Sequence, residues 1–194
     1  MDVNMSERTD DELVRQFCSG SGDAFEALVY RYKNSLYQYL FSLVQDEGAA
    51  ADLFQEVFLS FFKNAPKYEA RGKFKSWLFL SARNRALNYF RDRDDAFSLD
   101  QADESGNAFL HETLPDDTPL PLDALANREG AEKIRQASLR LPPAQRETLY
   151  LRQYLSFKEI AQTQGRPLGT VLSDFHRAVK KMQQWLSAEK EVTL

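Results

Sequence analysis

Hydrophobic side chains recur every three or four residues through most of positions 1–93, which is the spacing of an amphipathic helix. A capping-box pattern of Thr9 with Glu12 predicts a first short helix that stops near Gly20. Asp23 with Glu26 repeats this start signal for a long second helix. The apolar face predicted for it consists of Phe25, Leu28, Val29, Tyr32, Leu36, Leu40 and Leu43.

Two more helices are predicted in this part of the chain. The pattern breaks near residues 46–48, and a third helix then runs until Pro66 ends it. The apolar residues predicted for it are Leu53, Phe54, Val57, Phe58, Phe61 and Phe62. A fourth helix, from about Ser76 to Arg93, is predicted to bury Trp77, Leu78, Leu80, Ala82, Leu87 and Phe90. Four helices with short connections predict a compact bundle.

Helical periodicity is lost between residues 94 and 126, where the sequence is acidic and contains Pro115, Pro119 and Pro121. Such a composition cannot bury enough apolar surface to fold, so we expect a flexible, solvated linker. Periodicity resumes near Asn127 and continues to the end of the chain. The sequence therefore predicts an all-α protein of two small helical domains, residues 1–93 and 127–194, joined by an acidic linker, residues 94–126.

The final segment has the pattern of a helix-turn-helix motif. Ser156 and Glu159 form a second capping box, and Gly165 is placed to end that helix in a left-handed turn. A second helix is predicted from about Thr170 to Leu186, held on the first by Val171 and Phe175. Its outward face would present Thr170, Ser173, Asp174, Arg177, Lys180 and Lys181. Such a face suits base edges and phosphates of duplex DNA, but an ordinary helical hairpin with a charged outer face has the same spacing.

Charge alternates along the chain, although the overall net charge is only −4. Residues 71–93 carry a net charge of +6 and residues 130–194 a net charge of +5. Residues 94–129, between these basic blocks, carry a net charge of −9. Because a phosphate backbone responds to local charge, the two basic blocks are the candidate nucleic-acid surfaces.

The first basic block interleaves cations with aromatic side chains. Stacking rings and backbone-following cations together suit single-stranded nucleic acid. The alternative is that the rings belong to the core and the cations to a solvated face. The stretch from Lys67 to Arg93, which includes this block, contains Tyr68, Arg71, Lys73, Phe74, Lys75, Trp77, Arg83, Arg85, Tyr89, Phe90, Arg91 and Arg93.

Opposite its apolar stripe, the third helix carries polar residues that are either solvated or face a large partner. They are Asp52, Gln55, Glu56, Ser60 and Lys63.

Other classes of function find little support in this sequence. It contains no glycine-rich phosphate loop, nucleophile elbow or cluster of metal-ligand residues, so we expect no enzyme activity, cofactor or metal. Its one cysteine, Cys18, excludes an internal disulfide. No apolar run is long enough to span a membrane, and the polar, acidic N-terminus does not resemble a signal peptide. The expected location is the cytoplasm.

Three segments, in this order, resemble the extracytoplasmic-function (ECF) sigma factors of the sigma-70 superfamily. "AADLFQEVFLSFFKN" resembles their polymerase-binding segment, and "FKSWLFLSARNRALNYFRDR" their promoter-melting and minus-ten-reading segment. "LPPAQRETLYLRQYLSFKEIAQTQGRPLGTVLSDFHRAVKKM" resembles their minus-thirty-five-reading domain. The resemblance covers almost the whole chain and implies a promoter-specificity factor for RNA polymerase.

The resemblance also implies roles for individual residues. The residues implied to dock on core RNA polymerase are Asp52, Leu53, Gln55, Glu56 and Phe58. Those implied to bind the minus-ten element are Tyr68, Arg71, Lys73, Lys75, Trp77, Arg83, Asn84, Arg85, Asn88 and Arg91. Among them, the loop of residues 68–73 and Asn84 would hold a base flipped out of the duplex. Those implied to bind the minus-thirty-five element are Arg166, Thr170, Ser173, Asp174, Arg177, Lys180 and Lys181.

The resemblance implies core polymerase, duplex and melted promoter DNA, and an anti-sigma protein as partners, with no small-molecule substrate. The acidic linker would run through the basic channel of the polymerase, or serve as a plain tether. Two rivals to this interpretation are a dimeric helix-turn-helix regulator that acts without polymerase, and a helical adaptor that binds only proteins.

Two departures from the family pattern concern the last domain. Leu172-Ser173-Asp174 stands where the family usually has Lys-Ser-Arg. Asp174 would then either accept a hydrogen bond from a cytosine amino group or repel DNA. Thr163 and Gln164 stand where the family is generally apolar, so looser packing of this hairpin is expected.

Overall fold

The protein folds into two helical units. The structure, a computed structural model, describes residues 7–68, 72–92 and 128–192, with side chains described from 133 to 187 in the last range. The two compact units are Met1–Phe97 and Ser98–Leu194. Across the described ranges every regular element is helical, so the all-α prediction is confirmed. The predicted linker, residues 94–126, lies outside the described residues.

The first unit contains four α-helices in its described part. They are α1 (Asp10–Cys18), α2 (Gly22–Val44), α3 (Glu47–Asn64), which a 3-10 turn (Ala65–Lys67) follows, and α4 (Phe74–Asp92). The second unit contains four more in its described part. They are α5 (Arg128–Leu139), α6 (Pro143–Leu151), α7 (Phe157–Gln164) and α8 (Leu168–Val192).

Local sequence sets where the helices of the first unit begin. The Thr9 amide donates to Oε2 of Glu12 across 2.8 Å, and the Glu12 amide donates back to Oγ1 of Thr9. This completes the predicted capping box of α1. Asp46 caps α3 by accepting a hydrogen bond from the Ala49 amide at 2.7 Å. The start predicted for α2 was two residues late, because Ser21 occupies its N-cap position.

The core of the first unit is built around Phe61, whose side chain is fully buried. Its ring centroid lies 5.0 Å from that of Phe74 and 5.6 Å from that of Trp77, so α3 and α4 meet through aromatic rings. On α2, Tyr39 packs against Phe79 of α4 at 5.3 Å. Each fully buried ring or aliphatic side chain contributes roughly 1.5–3 kcal/mol relative to exposure, so these contacts fix the bundle.

Two residues predicted to be core residues are exposed. Phe62 is 54% exposed and Leu80 is 38% exposed. Both lie on helices whose apolar stripe is wider than the surface that the neighbouring helices cover. Helical periodicity alone cannot show how much of a stripe a neighbour covers.

The second unit packs its helices against one face of α8. That face buries Val171, Phe175, Ala178 and Met182. Phe175 meets Phe157 of α7 with ring centroids 5.2 Å apart, which confirms the predicted contact between the two helices of the motif. Apolar burial on this face leaves the opposite side of α8 for solvent or a partner.

The turn between α7 and α8 has the predicted form. Ser156 and Glu159 form the second capping box, with the Ser156 amide donating to Oε2 of Glu159 across 2.9 Å. Gly165 ends α7 at a φ of +66°, in the left-handed region that glycine adopts without a steric penalty. The helix after the turn begins at Leu168, two residues before the predicted start.

Across the described ranges, none of the helices combines the length and the apolar character that crossing a membrane would require.

Candidate nucleic-acid interfaces

The polar stripe of α3 is open to solvent. Asp52, Gln55 and Glu56 are all exposed, on a helix whose opposite face lies in the core. The other two residues implied to dock on polymerase are core residues, because Leu53 and Phe58 are each only 5% exposed. Leu53 and Phe58 therefore face the core, and of the five residues only the three polar ones are open to a partner.

Two apolar residues on α3 extend this surface. Leu59 is 57% exposed and Phe62 is 54% exposed, although both are large hydrophobic side chains. One turn of helix separates Leu59 from Gln55 and Glu56, so they share a face. Phe62 also packs on α1 and α2, with ring centroids 5.3 Å from Phe17 and 5.4 Å from Phe25. The sequence analysis missed Leu59, whose only signal was its helical register with the polar stripe.

An ion pair joins α3 to the basic helix α4. Nη1 of Arg85 donates to Oε2 of Glu56 across 2.6 Å, and the two side chains are 29% and 53% exposed. The polar stripe of α3 and the basic face of α4 are thus neighbouring parts of one surface.

The aromatic residues of the first basic block form a cluster at the edge of the core. Tyr68 lies 5.9 Å from Phe74 and 6.1 Å from Trp77 between ring centroids, with edge-to-face geometry. Phe74 is buried, whereas Tyr68 and Trp77 are half-buried. The rings therefore support the core, and two of them also reach the surface, where the binding of single-stranded nucleic acid stays a prediction.

The hydroxyl of Tyr68 lies inside the protein. Among the described residues it makes a weak polar contact with the backbone of Lys73, which lowers the pKa of Tyr68 less than burial raises it. Burial, followed by the nearby negative charges of Asp11 and Asp10, raises the pKa of Tyr68 to about 12.

The polar residues of the basic block divide by exposure. Lys73, Asn84, Asn88 and Arg91 are exposed, and Lys75 and Arg85 are half-buried. Arg83 is only 7% exposed, so its implied contact with minus-ten DNA is corrected: its side chain is buried with the core of α4. Arg71 lies outside the described residues.

The first helix contacts the end of the loop before α4. The Gly72 amide donates to Oδ2 of Asp11 across 2.6 Å, and Gly72 has a φ of +69°. Asp10 binds α2, accepting from Nη1 of Arg31 at 2.6 Å and from the hydroxyl of Tyr32 at 2.5 Å. The first turn of α1 therefore connects that loop to the bundle, a contact that the sequence analysis did not predict.

In the second unit, the outward face of α8 is cationic. Lys180 is exposed, and Thr170, Ser173, Arg177 and Lys181 are half-buried. His176 is also exposed on this side, one turn before Lys180, and the sequence analysis did not include it. Hydroxyls in the first turns, with cations further along, match the arrangement by which a recognition helix meets base edges and then phosphates.

Asp174 does not lie on that outward face. It is 6% exposed, and its Oδ2 lies 2.5 Å from Nη2 of Arg166 in the preceding turn. The side chains of Arg166 and Asp174 are 11% and 8% exposed. The predicted outward position of Asp174 is therefore wrong, because the aspartate is held inward by the arginine. A hydrogen bond from Asp174 to a cytosine amino group does not fit this position, and the paired carboxylate is not placed to repel DNA from the outward face.

The family comparisons match both units. Residues 28–95 match the family model described as Sigma-70 region 2, and residues 131–182 match the one described as Sigma-70, region 4. These segments include the helices that carry the surfaces described above.

Relatives and solved structures agree with this match. The chain is 31% identical to the ECF RNA polymerase sigma-E factor of Escherichia coli, over 90% of this chain and 93% of that protein. It is 29% identical to the ECF RNA polymerase sigma factor SigW of Bacillus subtilis, over 89% of this chain and 94% of that protein. The structure of CnrH in complex with the cytosolic domain of CnrY has the same fold, with a TM-score of 0.62 at 22% identity over 92% of this chain and 97% of that one. The chain belongs to the ECF sigma factors of the sigma-70 family and directs RNA polymerase in transcription initiation.

Proposed function

We propose that the first unit docks on core RNA polymerase and opens the minus-ten element, while the second unit reads the minus-thirty-five element in duplex DNA. The observation that supports this division of roles between the two units is that each has a cationic surface, on α4 in the first unit and on α8 in the second. The acidic segment of residues 94–126 then serves as the connection through the basic channel of the polymerase.

Docking on polymerase is assigned to Asp52, Gln55, Glu56 and Leu59 on the exposed face of α3. A mixed surface of carboxylate, amide and exposed leucine suits a protein partner, because an apolar contact drives association and polar neighbours fix the register. Leu53 and Phe58, on the buried face of the same helix, hold it rigid for this contact.

Minus-ten capture is assigned to the surface that Tyr68, Trp77 and the exposed residues of α4 form. Asn84 and Asn88 can pair with the edges of unstacked bases, and Lys73 and Arg91 can follow the phosphates. Flipping a base costs a few kcal/mol, which stacking on the half-buried rings and hydrogen bonding to asparagine can offset. No nucleotide hydrolysis is needed, so we propose that this protein acts by binding and not as an enzyme.

Minus-thirty-five recognition is assigned to Thr170 and Ser173 for base edges. Arg177, Lys180 and Lys181 are assigned to phosphates.

An anti-sigma protein is a further proposed partner. The solved relatives include CnrH with the cytosolic domain of CnrY and the sigma factor RpoE with the anti-sigma factor NepR from Bartonella quintana. Such a partner would compete with polymerase for the exposed face of α3. We propose that the protein works in the cytoplasm, with the polymerase.

The decisive experiment is transcription with purified core polymerase on a library of random promoters. The expected result is a defined set of initiated promoters that share two elements, together with little specific DNA binding by the protein alone. Tight, sequence-specific binding without polymerase would instead support the rival of a dimeric helix-turn-helix regulator. An adaptor that binds only proteins would give neither result.

A further inference from the structure

The ion pair between Arg166 and Asp174 is one end of a buried series of polar contacts. Nη1 of Arg166 donates to Oε1 of Gln164 at 3.4 Å, and Nε2 of Gln164 donates to Oγ1 of Thr148 at 3.2 Å. Thr148 lies on α6, Gln164 ends α7, Arg166 is in the turn and Asp174 is on α8. The series therefore joins α6 and α7 to α8, the proposed recognition helix.

These polar groups are enclosed. Thr148 is fully buried, Gln164 is 3% exposed and Asp174 is 6% exposed. A buried polar group is costly unless it is bonded, so a satisfied series favours one arrangement of its helices over nearby alternatives. The looser packing expected from the polar residues Thr163 and Gln164 is therefore not found, because both are buried and Gln164 has bonded partners.

Arg166 contacts two other members of the series, Gln164 and Asp174. By itself, Gln164 would place an unbonded amide in the core and Asp174 an unpaired carboxylate. Together they supply matching donors and acceptors.

We propose that Arg166 and Asp174 are positioning residues for minus-thirty-five recognition. Their ion pair, braced by Gln164 and Thr148, fixes the rotation of α8 about its axis and so determines how Thr170 and Ser173 meet base edges. Arg166 then acts through Asp174 and not on a phosphate, because the carboxylate already neutralises its charge. This inference rests on the proposed function of α8.

The test uses the full-length chain in holoenzyme, on promoters randomised only in the minus-thirty-five element. The variants are Arg166→Gln, Asp174→Asn, the double variant, Lys180→Gln as a phosphate-contact comparison and Gln183→Ala as an exposed control on α8. Each single variant of the pair should lower output from the preferred promoters by about tenfold or more, because it leaves one buried charge uncompensated. Each should also change which bases are preferred.

The double variant separates positioning from direct contact. With both charges removed, its loss should be smaller than the two single losses combined. Lys180→Gln should instead lower output on all minus-thirty-five sequences alike. Capture of a single-stranded minus-ten oligonucleotide, which the first unit performs, should be unchanged in every variant of the pair.

Unfolding of each variant is followed in parallel. If the single variants do not fold, Arg166→Lys is tested in their place. This variant keeps the positive charge, so it should retain the base preference of the original chain. Additive losses with an unchanged base preference, or an Arg166→Gln variant that behaves like Lys180→Gln, would overturn the positioning role. Absence of any promoter-specific transcription by the unaltered chain would overturn the proposed function, and this inference with it.

Discussion

Arg85 and Glu56 form an ion pair of 2.6 Å between α4 and α3, although the family resemblance assigns them to different partners. Glu56 belongs to the face proposed for polymerase and Arg85 to the face proposed for promoter DNA. Because Glu56 and Arg85 are bonded to each other, the proposed docking face and the proposed DNA face share one ion pair.

Exchange of Glu56 for glutamine should weaken binding to core polymerase while changing stability by less than about 1 kcal/mol, because the pair is partly exposed. Arg85→Gln should change stability equally little but should reduce promoter opening more than polymerase affinity. Binding can be measured by titration with core enzyme, and opening by the reactivity of unpaired thymines. Unchanged polymerase affinity in Glu56→Gln would contradict the docking role.

Leu53 and Leu59 of α3 offer a matched pair of truncations. Leu53→Ala removes a side chain that is 5% exposed and should cost about 2–5 kcal/mol in the free energy of unfolding. Leu59→Ala removes one that is 57% exposed, so it should change stability by less than about 0.5 kcal/mol and lower polymerase affinity. Chemical denaturation and core-enzyme titration distinguish them. A large stability loss in Leu59→Ala would show that this residue supports the fold.

Asn84→Ala should slow promoter opening and leave association with polymerase intact, because the exposed amide is proposed to pair with an unstacked base. The loss should be close to the 1–3 kcal/mol that a lost base contact typically costs, or roughly five-fold to 150-fold in opening. A template that is already unpaired at the minus-ten element should restore part of the transcription that Asn84→Ala loses. The control is Asn34→Ala, an exposed asparagine on α2. Equal losses of opening and of polymerase affinity would reject this role.

Tyr68 should ionise late in an alkaline titration. Its pKa is raised to about 12, so folding favours the neutral phenol. The stability that this gives is fully present below the ordinary tyrosine pKa of about 10 and is lost as pH rises through about 12. Tyr68→Phe should remove that alkaline loss and should keep most of the stability at neutral pH, since the buried hydroxyl makes only a weak contact, with the backbone of Lys73. Tyrosinate absorbance with denaturation at several pH values tests this, and ionisation near pH 10 would contradict it.

Gly165→Ala should destabilise the second unit by about 1–2 kcal/mol, because a residue with a Cβ is strained at a φ of +66°. No atom outside the turn would touch the added methyl group, so strain is the whole expected effect. Gly165→Asn should cost less, since asparagine tolerates this conformation better. Thermal unfolding compares the two variants, and equal costs would point to a cause other than backbone strain.

Helix positions and the two-unit fold could be predicted because they depend on local signals. The capping boxes at Thr9 and Ser156 and the left-handed Gly165 have their expected geometry. What could not be predicted depends on partners distant in the chain. Arg83 and Asp174 have polar side chains at positions where the sequence suggests a surface, yet neighbouring helices bury them.

The candidate sites show the same difference between features that local sequence determines and features that depend on distant partners. Sequence periodicity placed Asp52, Gln55 and Glu56 together on one exposed face, which is correct. It could not place Leu59 outside the core, because an amphipathic pattern does not say where the covering helix ends. The residues implied by resemblance included Leu53 and Phe58, since a motif that identifies a family contains core residues as well as contact residues.

The hydrogen bond from Gly72 to Asp11 joins residues that are 61 positions apart in the chain, so the segment before α4 depends on the N-terminal helix. A shortened version lacking the residues before Leu13 would lose no side chain of the polymerase-facing or DNA-facing surfaces, yet it would release one end of the segment between α3 and α4. We expect such a shortened chain to capture the minus-ten element less selectively, because the proposed capture surface of Tyr68 and α4 lies on either side of that segment.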